Sequence, residues 1–480
     1  SQIETHLLEI GGGFNFNTVR NYVIGPVGLQ LPALRDSSDF LRYEYQQPSY
    51  YGYNIYGTSK TGGEGFEDPY KPVFVFGYIQ DRYELEDLVL NLGLRVDYFD
   101  TKADILANPT LPFAKGSDAG DFDDGDFVQK DAEFEISPRI GLGFPVTEGT
   151  VFHAQFGRFI QIPALQDLYS GYYDYKALIT DDARTINNGE IKSEETVQYE
   201  VGFRQLLSDN SALNLSLFYK NIKGLVNQQV VFFQRREGGE LSEYYTPTNT
   251  DFGTSKGLAL SLDITKLSYF NVSLQYTFAI AEGTGSSTSS SGTAVFRNVD
   301  NEVPKVIAPL DFDQRHTANA TINFYVPANE LGWLEMTSAT FLINYSSGRP
   351  YTPLNFFDIL SGNNGGPSTI GYINSRFSPG AVRVDLKLEK TFSITDNLLL
   401  TPYLWIQNLF DADNVNTVWR STGDPYTTGW LLTPDGLAAS ERNGEGFVQD
   451  YKSLERDPGN FGIPRLIRLG FKLNFTKLSL

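Results

Sequence analysis

The residues best equipped to recognise a ligand are aromatic, and they cluster outside the regular pattern of the chain. Tyr43, Tyr45, Tyr50, Tyr51, Tyr53 and Tyr56 crowd one stretch, and Tyr169, Tyr172, Tyr173 and Tyr175 another. Tyrosine offers a flat apolar face and a polar tip, which suits sugars, peptides or aromatic chelates. Tyr50, Tyr51, Tyr53, Tyr56, Tyr172 and Tyr173 are therefore candidate ligand contacts. The competing reading is that these rings pack long loops against one another, since such loops must bury something to stay ordered. Phe232 and Phe233 run into Arg235 and Arg236, a pair able to grip an anionic group bidentately. The acidic run from Asp118 to Glu133 gathers Asp121, Asp123, Asp124 and Asp126, hard oxygen donors of the kind Ca²⁺ prefers. It lacks the glycine and glutamate spacing of an EF-hand, and a solvated acidic loop is the alternative.

Other chemistry is absent. The chain has no cysteine, which excludes disulfides, thiolate metal sites and thiol nucleophiles. Its three histidines, His6, His153 and His316, are far apart with no ligand-like spacing. No nucleophile elbow, HExxH or phosphate loop occurs, so no catalytic residues and no cofactor other than Ca²⁺ are expected. Lys and Arg total 38 against 58 Asp and Glu, a net charge of −20 that disfavours nucleic acid as a partner. No apolar run is long enough for a helical membrane span.

What must position these residues is a set of strands. Leu88, Leu90, Leu92, Leu94, Val96 and Tyr98 alternate with Val89, Asn91, Gly93, Arg95 and Asp97. The same period recurs at Val197 to Arg204, Asn271 to Ile280, Val382 to Glu389 and Ile467 to Phe475. Successive strand side chains point to opposite faces, so each segment has one apolar and one polar wall. The segments run to ten residues or more, and a tilted membrane strand needs about 9–11. Aromatics gather near their ends, at Tyr98, Phe99, Phe144, Tyr269, Phe270, Phe324, Tyr325 and Phe392, as in the girdles of outer-membrane barrels.

Fourteen such segments begin near His6, Pro72, Leu88, Glu133, Thr150, Lys192, Ala212, Asp251, Tyr269, Asp313, Thr337, Ala381, Leu398 and Pro464. Their connections alternate between short and long. The long ones are Asn21 to Lys71, Asp100 to Ala132, Gln161 to Ile191, Asn227 to Thr250, Ala281 to Phe312, Ser347 to Gly380 and Asp411 to Ile463. Short periplasmic turns and long extracellular loops are the habit of outer-membrane barrels. The expected fold is all-β, an antiparallel transmembrane β-barrel in the cell outer membrane, with no helical domain and no internal repeat. The polar wall, with Arg95, Asp97, Arg139, Glu200, Arg204, Asp263, Arg383, Asp385, Lys387, Glu389, Arg468 and Lys472, should line the lumen and be mostly paired. Arg235 and Arg236 would alternatively face the phosphates of lipopolysaccharide.

EDLVLNLGLRVDYFD (Glu86 to Asp100), the stretch from Ile136 to Tyr169, and Pro402 to Leu431 resemble the barrel of TonB-dependent outer-membrane receptors, in the form common in Bacteroidota. The ending Pro458 to Phe475 looks like that family's last strand, and Glu4 to Ile24 is similar to one of its middle strands. The resemblance implies a barrel of about 22 strands closed around a plug that binds TonB. Neither plug nor TonB segment is recognisable here, so the resemblance implies that residues 1–480 are the C-terminal barrel portion of a receptor, or half of a split one. The implied function is active import of a scarce nutrient caught by the extracellular loops. TonB would act through a plug outside this chain, and a surface lipoprotein would be a further partner. The alternatives are a complete 14-stranded passive channel and a surface binding or scaffold protein. Residues 476–480 extend past the final aromatic at which the family's chains usually end.

Overall fold

The computed structural model describes residues 2–475 apart from 4, 25–48, 55, 61–67, 113–123, 172–173, 176–177, 179–183, 235–237, 287–305, 361–367 and 396. Fourteen long strands follow one another along the chain. They are β1 (His6–Phe16), β2 (Val73–Leu85), β3 (Leu88–Asp100), β4 (Glu133–Thr147), β5 (Thr150–Gln161), β6 (Glu194–Ser208) and β7 (Ser211–Gln234). Then come β8 (Leu241–Leu267), β9 (Phe270–Gly283), β10 (His316–Tyr325), β11 (Thr337–Ser346), β12 (Ala381–Lys390), β13 (Leu398–Gln407) and β14 (Leu466–Phe475). Each pairs antiparallel with its sequence neighbours, giving a single meander. Among the described residues no ladder joins β14 to β1, and a short strand, Gln2–Ile3, pairs with the start of β1.

The registers carry the predicted walls from strand to strand. Ile79 stands opposite Ile10 and Leu94, and Leu94 lies on the same wall as Leu92 and Tyr98. On that wall Ile10 is 70% exposed, Phe14 74%, Leu469 80% and Phe471 67%, far too open for a hydrophobic core facing water. A continuous exposed apolar face of this kind is the surface that barrels present to lipid. The opposite wall pairs Gln80 with Gly93, Glu200 with Phe218, and Asn344 with Arg383. Beside Gly11, a Cβ would meet the Tyr78 ring at 2.5 Å, so glycine there lets the ring lie flat across the polar wall.

The connections sort by end. Turns at 86–87, 148–149, 209–210 and 268–269 are two residues long, whereas Phe16 to Val73 and Asp100 to Glu133 span long loops at the other end. Two expectations fail here. Residues 227–234 and 241–250 form paired strand, not loop: β7 and β8 rise as a hairpin well beyond their neighbours, with register shifts around Leu225. The segment is rich in β-branched and aromatic residues, and once one strand is extended its partner satisfies the backbone. The last long loop also contains a helix, α1 (Pro434–Glu455), where strand alternation predicts no helical element. Thr433 caps it by accepting from Gly436 N, Pro434 opens it, and Gly444 at φ 80° kinks its middle.

Candidate functional site

At the loop end, residues from three connections and the β7–β8 hairpin build one aromatic cluster. Tyr51, Tyr70, Ala103, Leu168, Tyr169, Ile191 and Val226 are buried together. Tyr70 and Tyr169 stack at 4.1 Å, and Tyr51 meets them edge-on at 5.1 and 6.0 Å. Each stacked ring keeps its polar tip satisfied. Tyr70 Oη donates to Ser170 O at 3.0 Å, and Tyr169 Oη donates to Thr101 O at 2.7 Å. A Cβ on Gly171 would sit 2.1 Å from Tyr50 O, so that backbone approach requires glycine. A second cluster joins Tyr175, Leu178, Ile186, Phe233 and Tyr244. Burial pushes the Tyr70, Tyr169 and Tyr175 phenols above their ordinary range, because the phenolate would lose its hydration.

Tyr50 and Tyr51 therefore sit inside this platform, Tyr50 with no exposed surface at all. Tyr53 is half-buried, bridged to Ser59 and edge-on to Tyr22, while Tyr56 is 54% exposed. Phe233 is buried and Phe232 is 54% exposed, as alternation along β7 dictates. Tyr172, Tyr173, Arg235, Arg236, Asp121 and Asp123 lie outside the described residues. Asp124 and Asp126 belong to a short 3-10 helix, Asp124–Asp126, where Asp126 is buried. Among the described residues no three potential ligands converge on a metal position. His6 pairs with Asp81, His153 faces Ser216 and His316 faces Tyr276, so the histidines serve separate strands.

Buried carboxylates tie the loops to the strand ends. Arg95 grips Asp97 through both Nε and Nη2, its guanidinium also covering Phe76 at 4.1 Å. Arg383 grips Asp385 in the same way. Asp313 accepts from Ala281 N at 2.9 Å and pairs with Arg315. Arg158 reaches both Glu135 and Glu195, at 2.7 and 2.9 Å. Further down the polar wall, Glu389 is shared by Lys387 and Lys472.

Beneath the platform the polar wall bears two grooves. One, of about 600 Å³, is lined by Phe74, Phe76, Arg95, Asp97, Arg139 and Phe159. The other, of about 420 Å³, is lined by amides and glycines including Gln80, Asn91, Gln155 and Gln198. Arg139 borders both, lying over the Phe159 ring at 4.7 Å with no carboxylate partner among the described residues.

The last loop offers a groove that sequence reasoning missed. About 420 Å³ of space lies between α1 and residues 358–360, lined by Asp358, Leu360, Trp430, Asp435, Arg442, Asn443 and Phe447. Trp430 stacks on Tyr451 at 5.0 Å, and Tyr451 Oη accepts from Ile359 N at 3.2 Å. Glu455, 2% exposed, accepts from Thr427 Oγ1, Thr428 N and Thr428 Oγ1, locking the helix to the preceding loop. An aromatic floor flanked by a guanidinium and carboxylates can hold a ring-bearing polar ligand. The readable signal was Thr433-Pro434-Asp435, a helix start.

The family model described as TonB dependent receptor-like, beta-barrel matches residues 5–409. The chain belongs to the β-barrel family of TonB-dependent receptors. It is an outer-membrane barrel chain, so the exposed apolar wall faces lipid and the polar wall the lumen. The family is one of receptors rather than enzymes. Among solved structures, the FrpB iron transporter from Neisseria meningitidis is similar at a TM-score of 0.53 with 14% identity, over 99% of this chain and 53% of that one. The outer membrane transporter YddB from Escherichia coli gives a TM-score of 0.51 at 12% identity, over 86% and 49%. FpvA of P. aeruginosa, solved with heterologous pyoverdines, gives 0.50 at 12% identity, over 99% and 46%. This chain thus spans about half the length of the structures it matches. No curated protein matches it.

Proposed function

We propose that this chain is the barrel portion of a receptor that captures a scarce nutrient at its extracellular face and imports it with energy supplied through TonB. The observation that carries the reading is the collection of long loops at one end, folded onto one another into a braced aromatic platform above a polar wall. A passive channel has no need for such a platform. Among the described residues β1 and β14 do not pair with each other, which suits further strands completing the barrel and argues against a closed 14-stranded pore. On this reading a plug domain outside residues 1–480 fills the lumen, contacts the Arg95 and Arg139 wall, and transmits the pull of TonB. The groove beside α1 joins Tyr56 and Phe232 as ligand-contact candidates, and the exposed platform is where a surface lipoprotein would dock.

The test is purification of the full-length protein from its native membrane, followed by capture on the immobilised periplasmic domain of TonB. Retention that is lost when TonB-binding peptide is added in excess supports the reading. Failure to bind, with the barrel intact by its heat-modifiable mobility, overturns it.

A further inference from the structure

The connection between β10 and β11 differs from the other turns at the periplasmic end. It runs from Val326 to Met336, contains a 3-10 turn at Gly332–Leu334, and has four residues at positive φ: Asn329, Leu331, Gly332 and Met336. Three of those four carry side chains, a costly conformation that persists only where surroundings enforce it. Those surroundings are visible. Val326 N donates to Thr337 O at 3.0 Å, Asn329 N to Glu335 Oε2 at 3.0 Å, and Glu335 N to Gly332 O at 3.1 Å. Lys390 Nζ donates to Trp333 O at 3.0 Å and also to Glu335 O.

The rigid turn nevertheless projects its largest apolar groups. Trp333 is 83% exposed and Leu331 50%. The register says which side they occupy. Lys390 pairs with Thr337 at the end of the row Val382, Val384, Leu386, Leu388, the lipid-facing wall of β12. A turn held by Lys390 therefore lies against the lipid side of the sheet. On that same wall Phe270 packs against Phe324 at 5.1 Å, and Lys390 lies over Phe392 at 5.6 Å. Aromatic rings together with a lysine whose stem runs along apolar surface are the composition of a membrane–water interface.

We propose that the Val326–Met336 turn is a membrane anchor. Trp333 and Leu331 insert among the headgroups of the periplasmic leaflet, beyond the strand ends, with Lys390 fixing the turn against the barrel. The partner is a phospholipid surface, and the site extends the aromatic band outward by one rigid step.

Residues 1–480 contain no cysteine, so a label introduced there has no competing site within them. Full-length protein is placed in phosphatidylethanolamine–phosphatidylglycerol vesicles, and the emission of its Trp333→Phe variant is subtracted from that of the parent. The expected difference spectrum is blue-shifted, loses intensity when the lipids carry brominated acyl chains, and is shielded from aqueous iodide. In parallel, a spin label on Leu331→Cys should be more accessible to oxygen than to a water-soluble nickel relaxant, and Lys390→Ala should shift that balance towards the nickel. A Trp333 difference spectrum indifferent to brominated lipid and fully quenched by iodide would overturn the proposal. So would a label that becomes protected only when a second protein is added.

Discussion

Arg383 and Asp385, two residues apart on the lumen wall of β12, are joined by two charge-assisted hydrogen bonds of 2.8 and 2.7 Å. The carboxylate also accepts from Asn408 N at 2.9 Å, where the chain leaves β13 for the last long loop. One buried acid thus fastens a strand, its guanidinium and the root of a loop. Asp385→Ala should cost about 1–3 kcal/mol, because the Asn408 N–H is then left without its acceptor. Urea unfolding in detergent micelles measures it. Adding Arg383→Ala should cost little more than the single change, since both remove the same interaction.

The Tyr70–Tyr169 stack predicts a local effect. Tyr169→Ala should remove about 3–5 kcal/mol from the platform, while Tyr169→Phe loses only a hydrogen bond of about 1 kcal/mol. Limited proteolysis of the loops should accelerate in the first variant. The barrel's own resistance to heat in gel mobility should stay unchanged, because the strands are joined independently of the cluster.

Alkali should open the same platform. Burial raises the phenols of Tyr70, Tyr169 and Tyr175, so the folded loops hold them neutral after the unfolded chain has begun to ionise. The unfolded state then binds fewer protons than the folded one, and stability falls as pH rises through and above about 10. Below that value these groups leave loop stability flat. Phenolate absorbance followed alongside loop proteolysis should show a late, cooperative step; smooth titration of all tyrosines together would count against the packed cluster.

Glu455 should govern the groove beside α1. Glu455→Ala strands the donors of Thr427 and Thr428, and α1 should detach and be cleaved by trypsin at Arg442 or Lys452. Glu455→Gln keeps an acceptor and should protect most of the helix. Trp430→Ala, by contrast, should leave trypsin resistance nearly intact while lowering nutrient uptake.

The strands were legible because one face meets lipid and the other water, which imposes strict period two from Leu88 to Tyr98 and again from Ile467 to Phe475. The loops obey no such rule. Nothing local distinguishes Tyr50, which has no exposed surface, from Tyr56, which is 54% exposed; close approach by chain more than a hundred residues away, at Gly171, decides it. The length of the β7–β8 hairpin was hidden for a related reason, since pairing beyond the Leu225 bulge is set by the partner strand. In α1 the glycines Gly436, Gly444 and Gly446 diluted the helical signal, although its capping residues were on view. The lumen pairs Arg95–Asp97 and Arg383–Asp385 were readable from spacing alone, because residues two apart on a strand share a face.

The proposed import powered through TonB can be tested without knowing the ligand. Untargeted mass spectrometry would follow which compounds disappear from nutrient-limited medium around the parent strain, a strain lacking this gene, and a strain lacking TonB. The account predicts at least one compound whose depletion fails in both mutants and returns when the gene is restored. If the gene deletion alters depletion of some compound while loss of TonB leaves that compound's uptake untouched, the account is wrong.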